Sequence, residues 1–176
     1  MSLIAVEETV DEIAELAREL AAETEHRRLP DAVLDALRAS GLMNAGAPRE
    51  VGGLELAPGE LLRHAATIAA GDASAGWCVS IAATSSLLAG FLEPEGRAEL
   101  FGDPNGIAAG IFAPRGTAEP VDGGFTVSGR WPYCSGITHA SVLADPWPTF
   151  TFASSAKSLS APRPLPSAAA ATEAAK

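Results

Sequence analysis

The hydrophobic period of this chain changes once, near Asn105, and that change limits what the chain can fold into. Before it, apolar residues recur at steps of three and four. Val6, Val10, Ile13, Ala17 and Leu20 form one such helical stripe, and Thr9 and Glu12 within it have capping-box spacing. After it, Phe125, Val127 and Gly129 alternate with Thr126, Ser128 and Arg130, the period of a strand. Helices followed by strands define an α+β chain. The expected division is an all-helical domain over 1–104, a truncated antiparallel β-domain over 105–145, and a tail over 146–176.

Punctuation places five helices. Pro30 suits the first helical position of the second, and Gly41 its left-handed stop, with Leu42 as the apolar contact beyond. Gly41 to Pro58 reads as a loop, and a third helix runs from Pro58 to about Ala70. His64 within it is expected at a partly exposed surface. Asp72 is a candidate cap for a fourth helix, Ser74 to about Leu92. This helix is apolar on every side, with Trp77, Val79, Ile81, Leu87, Leu88 and Phe91, and such a helix is expected to be buried. Pro94 opens a fifth, short helix that Gly102 ends. Strands are expected near 107–112, 117–121, 125–129 and 140–144, with Asp122-Gly-Gly as a hairpin signal.

Composition excludes several partners. A net charge of -10 opposes binding to nucleic acid and to anionic membranes. Glu7 to Glu25 holds eight acidic residues against Arg18 alone, which reads as a solvated helix face. Cys78 and Cys134 have no second ligand at metal spacing, so no metal site is expected. No segment reads as a membrane span of about 20 apolar residues, and the acidic N-terminus is unlike a signal peptide. A cytoplasmic protein is expected. Residues 146–176 contain five Pro, nine Ala and five Ser, a composition that predicts disorder. Out-of-frame translation of GC-rich DNA would also give such a tail, so the chain is expected to be shortened by a frameshift past Asp145.

Taken together and in order, the five helices, Pro48-Arg-Glu-Val-Gly-Gly53, Asp72-Ala-Ser74 and the loop Gly129-Arg-Trp-Pro-Tyr-Cys-Ser-Gly136 resemble the acyl-CoA dehydrogenase superfamily over about residues 7–145. The resemblance implies FAD as cofactor and oxidation of the CH–CH bond of an acyl-CoA. By the same resemblance Ser135 would bond the flavin near N5 and O4, beside Gly136, with Tyr133 or Trp131 packed on the ring. A flat apolar ring suits an aromatic wall, and the protein tunes it through a few placed donors. Trp77 and Cys78 fall where the family lines its substrate pocket, although core packing on the apolar fourth helix is the favoured account of them.

One segment departs from the dehydrogenase pattern. Phe112, in Ile111-Phe-Ala-Pro-Arg-Gly-Thr117, stands where dehydrogenases carry a flavin-contacting threonine, and the following Gly-Ser-Asp is missing. This segment, the 129–136 loop and His139 are more similar to the branch of two-component monooxygenases. Those enzymes use reduced FAD or FMN from a separate flavin reductase. The resemblance also implies a homo-oligomeric parent, a small-molecule substrate, and catalytic groups on a C-terminal helical domain. No catalytic residue is assigned within 1–145, and the fragment by itself is expected to be inactive, colourless and prone to aggregate.

Overall fold

The computed structural model describes residues 3–26, 28–111, 116–122, 124–131, 133–147 and 150–155. Five α-helices come first: α1 Leu3–Glu19, α2 Asp31–Ala39, α3 Pro58–Gly71, α4 Ala73–Ser86 and α5 Pro94–Phe101. Five strands follow: β1 Ala108–Gly110, β2 Gly116–Val121, β3 Gly124–Gly129, β4 Val142–Trp147 and β5 Phe150–Ser155. The α+β class and the change of period near Asn105 therefore stand.

Local chemistry sets the helix ends. Asp72 Oδ1 accepts from the Ala75 N–H at 2.9 Å, satisfying one of the orphan donors of α4. Glu60 Oε2 accepts from the Ala57 N–H at 3.0 Å at the start of α3. Gly41 takes φ 75°, the left-handed region expected for it, and Leu42 beyond it is buried. Pro30 lies one residue before α2 rather than inside it; its carbonyl accepts from the Leu34 N–H.

Val10, Ile13 and Ala17 of α1, Val33, Leu34 and Leu37 of α2, and Ile68 of α3 share one core with Ala75, Val79 and Ala82 of α4. A second apolar cluster joins Ala47, Ala89 and Phe101 to Ala108 of β1 and Val142 of β4. It seals the junction between helices and sheet. Asn44 spans the same junction, its Nδ2 donating to the Gly106 carbonyl at 2.7 Å.

Several expectations need correction. Helix α4 is buried on one side only. It packs on α3 and β1, but Trp77 is 56% exposed, and Leu87 and Phe91, which follow in a 3-10 extension, are exposed too. Apolar character drives burial only where a neighbour covers the surface, and the described residues meet this face at Trp77 through Ser135 but leave Leu87 and Phe91 exposed. The helical span Ala73–Phe91, 19 residues, is also long and apolar enough to cross a membrane by length and composition, against the expectation that no segment is; its inner side is nonetheless part of the core. His64 is buried, not surface-exposed, because it lies one turn before Ile68 on the inner face of α3.

The strands pair in two groups. Strands β2 and β3 form an antiparallel hairpin with Gly116 opposite Gly129. The other sheet has the order β1-β4-β5, with β4 and β5 antiparallel. Its β1–β4 pairing is parallel, a departure from the purely antiparallel reading; the long 111–141 excursion supplies the crossover that parallel strands require. Strand β5 falls in the stretch expected to be disordered. Phe150-Thr-Phe152 has the aromatic and β-branched side chains that favour strands, and pairing to β4 satisfies its backbone. Phe112 and the tail 156–176 lie outside the described residues.

Candidate functional site

The loop 130–141 leaves β3 and returns across the N-terminal half of α4. Its central contact is between side chains: Trp77 Nε1 donates to Ser135 Oγ at 2.8 Å. Next to it, Tyr133 has φ 61° and a side chain 95% exposed. A bulky residue in the left-handed region is a backbone outlier, and conformations of this kind cost on the order of 1–3 kcal/mol and cluster at functional sites. Gly136 takes φ 79°, and a Cβ there would meet nothing within 4 Å. With half-exposed Trp77 and Ile137, the loop therefore presents two aromatic faces, the Ser135 hydroxyl and open space.

Trp131 plays a different part from Tyr133. A Cβ on Gly129 or Gly116 would lie 2.5 Å or 2.3 Å from its indole ring, so the ring rests directly on this glycine pair of the hairpin. Its contact surface is taken up by backbone, and only glycines allow so close an approach. Of the two aromatics considered for packing on a flavin, Tyr133 has the free face.

Cys78 packs against the helical core and borders a small cavity of about 170 Å³ with Ser74, Gly136, Thr138, His139 and Arg28. Burial, reinforced by Asp72, pushes its thiol up to about 11, so it is not an activated nucleophile. A larger cleft of about 690 Å³ lies on the far side of His139, between α2 and the segment joining α5 to β1. It touches none of Trp77, Tyr133 or Ser135, and its size says nothing about their chemistry.

His139 is a contact whose partner the sequence did not reveal. It is 8% exposed, and its Nε2 accepts from the Leu29 N–H at 3.3 Å, 110 residues away. Burial first, then Arg28 and Arg38, lower its affinity for a proton, with Asp31 opposing them. Histidine is a polar residue found in loops and cores alike, and only its position beside α2 shows which role it has. Among the described residues no group of three or more metal-binding side chains occurs.

The arrangement fits one wall of a flavin site. An exposed aromatic, a hydroxyl able to donate or accept, and an unfilled space at Gly136 suit the edge of a flat tricyclic ring. The 170 Å³ cavity is smaller than the roughly 300–1,000 Å³ of ligand pockets, so it does not by itself enclose a flavin ring.

Residues 4–100 match the family described as acyl-CoA dehydrogenase, N-terminal domain. Over 118 residues the chain is 37% identical to an indole-3-acetate monooxygenase of Pseudomonas putida, covering 66% of this chain and 30% of the relative. Over 141 residues it is 32% identical to the oxygenase subunit HsaA of a flavin-dependent monooxygenase of Rhodococcus jostii, covering 78% and 37%. Its structure resembles that of XiaF from Streptomyces sp. in complex with FADH2 and glycerol, with a TM-score of 0.75, 32% identity, and 81% and 36% of the two chains covered. The chain spans about a third of the length of the curated relatives it matches.

Proposed function

This chain belongs to the acyl-CoA dehydrogenase family through its N-terminal domain, and from that premise we propose that it forms part of the oxygenase component of a two-component, reduced-flavin-dependent monooxygenase. The similarity to monooxygenase components favours this over oxidation of an acyl-CoA, which the family resemblance alone suggests. The observation that carries the reading at the site is the Trp77–Ser135 bond, which holds a hydroxyl beside an exposed, strained Tyr133.

Reduced flavin, when bound, supplies two electrons to O2, so that one oxygen atom enters the substrate and the other leaves as water. The chain's own residues have binding roles. Ser135 presents its hydroxyl to the polar edge of the ring, Tyr133 gives an apolar face, and Gly136 leaves room for close approach. Trp77 orients Ser135, and Cys78 borders the small cavity beside Gly136. A separate flavin reductase supplies the reduced cofactor. Sites normally enclose 70–90% of a ligand, so the other wall comes from outside the residues described here.

The test uses the full-length protein with a flavin reductase, NADH and O2 against a panel of phenols and indoles, and separately with acyl-CoAs under anaerobic conditions. Hydroxylated product from the first arm and no flavin bleaching in the second are expected. Bleaching by any acyl-CoA would overturn the monooxygenase reading.

A further inference from the structure

Besides the Trp77–Ser135 bond, a hydrogen bond made by a titratable group ties the 130–141 loop to the helical region. Leu29, whose N–H donates to His139 Nε2, is itself 3% exposed and immediately precedes Pro30 and α2. An imidazole that accepts at Nε2 is neutral and carries its proton on Nδ1. That Nδ1 is buried and has no partner among the described residues. The His139 N–H donates to the Gly136 carbonyl at 2.9 Å, so the same residue closes the turn that contains the open Gly136 position. The ring also forms part of the wall of both cavities and separates them.

We propose that His139 is the positioning residue of this loop: as a neutral imidazole it fastens the loop to the start of α2 and so holds Ser135 over Trp77, and on gaining a proton it lets the loop go. Protonation turns Nε2 from acceptor to donor, and it then faces the Leu29 N–H as a second donor. The charged surroundings are mixed. Arg28 and Arg38 oppose a cation at His139, while Asp31 favours one; Asp35 and Asp103 border the larger cleft, and the un-ionised Cys78 the smaller. The consequence for flavin, though not the fastening itself, rests on the reading that this loop faces the cofactor.

The experiment is amide hydrogen exchange of Leu29 and of residues 134–141, corrected for intrinsic rates, between about pH 8 and about pH 4, a window carried well below the ordinary histidine range because burial lowers the proton affinity of His139. It uses the unaltered protein, His139→Gln and His139→Leu. Glutamine keeps an acceptor and does not titrate; leucine keeps bulk and has no acceptor. Loss of one hydrogen bond should lower protection about five- to tenfold. The unaltered protein should lose that protection as the pH falls, His139→Gln should keep it throughout, and His139→Leu should lack it throughout. An unaltered protein without the pH step, or a step of equal size in His139→Gln, would overturn the proposal. If His139→Leu instead unfolds, the His139→Gln pH profile decides alone. Reduced-flavin affinity measured on the same variants separates the two readings: the expected exchange pattern with unchanged affinity would remove the loop's flavin role and leave the fastening in place.

Discussion

Trp77 and Ser135 lie 58 residues apart and are joined by a 2.8 Å hydrogen bond that ties the fourth helix to the loop after the hairpin. Trp77 remains 56% exposed, so the bond is made by a residue whose ring is half in solvent. Packing did not force it inward. Its indole N–H donates to the Ser135 hydroxyl and leaves a ring face open.

Trp77→Phe removes the donor and keeps most of the ring. One net hydrogen bond contributes about 1 kcal/mol, and for a chain of this size that is a shift of about 2–4 °C in Tm. Calorimetry on the two proteins measures it. A fall well beyond this range would mean that Trp77 supports the fold through packing, not through Ser135.

Asp72→Ala leaves the Ala75 N–H without its acceptor at the start of α4. The expected loss is about 1 kcal/mol, within the usual range of about 0.5–2 for a cap, read from urea unfolding. Asp72→Asn and Asp72→Ser should recover most of it. Equal stability of the alanine and asparagine variants would show that the cap contributes nothing.

Cys78 gives a pH dependence of known sign. Its thiol, normally near 9.0, is raised to about 11 in the folded chain. The folded state therefore holds this proton to higher pH than the unfolded state. The contribution to stability is complete below pH 9 and is lost as the pH rises toward 11. In a Cys134→Ser background, alkylation by iodoacetamide near pH 8 should be far slower than for the urea-unfolded chain, since the thiolate is the reacting form. Equal rates in the two states would contradict the burial of this thiol.

Arg97 and Glu50 are an asymmetric pair. Arg97 Nη1 lies 2.7 Å from Glu50 Oε2, and its Nη2 donates to the Leu92 carbonyl at 3.0 Å. The Arg97 side chain is 21% exposed and that of Glu50 is 77% exposed. Glu50→Ala should therefore cost under about 1 kcal/mol. Arg97→Ala should cost more, because it also leaves the Leu92 carbonyl without this donor and removes packed methylenes. Chemical denaturation of both variants gives the order, and a reversed order would show that the ion pair, not the burial of Arg97, carries the stability.

Helix α3 approaches α4 at Gly76, where an added Cβ would lie 2.4 Å from the Cβ of Ala69. Gly76→Ala must push the two helices apart, at about 1–3 kcal/mol. The helix propensity gained by alanine, about 1 kcal/mol, offsets part of it. Thermal unfolding measures the net, and a stabilised variant would show that the helices separate freely.

Local pattern in the residues carried the five helices, the hairpin and their order, but not β5, whose pairing to β4 lies in a stretch with the composition of a disordered tail. Capping residues and prolines act within a few residues of themselves, so Asp72, Gly41, Pro58 and Pro94 marked helix ends from local chemistry alone. The period change near Asn105 divided helices from strands because side-chain direction follows backbone geometry. The 130–136 loop was also legible, since aromatic, hydroxyl and glycine positions fall in one short stretch. Tertiary structure decided which of these residues meet. Trp131 and Tyr133 look alike in the sequence, yet one rests on Gly116 and Gly129 while the other faces outward. The parallel pairing of β1 with β4, the open face of α4, the burial of His64 and the seat of His139 beside Leu29 depend on contacts up to 110 residues apart. Burial and hydrogen bonding between distant segments are set by how whole elements pack, and no local pattern carries that information.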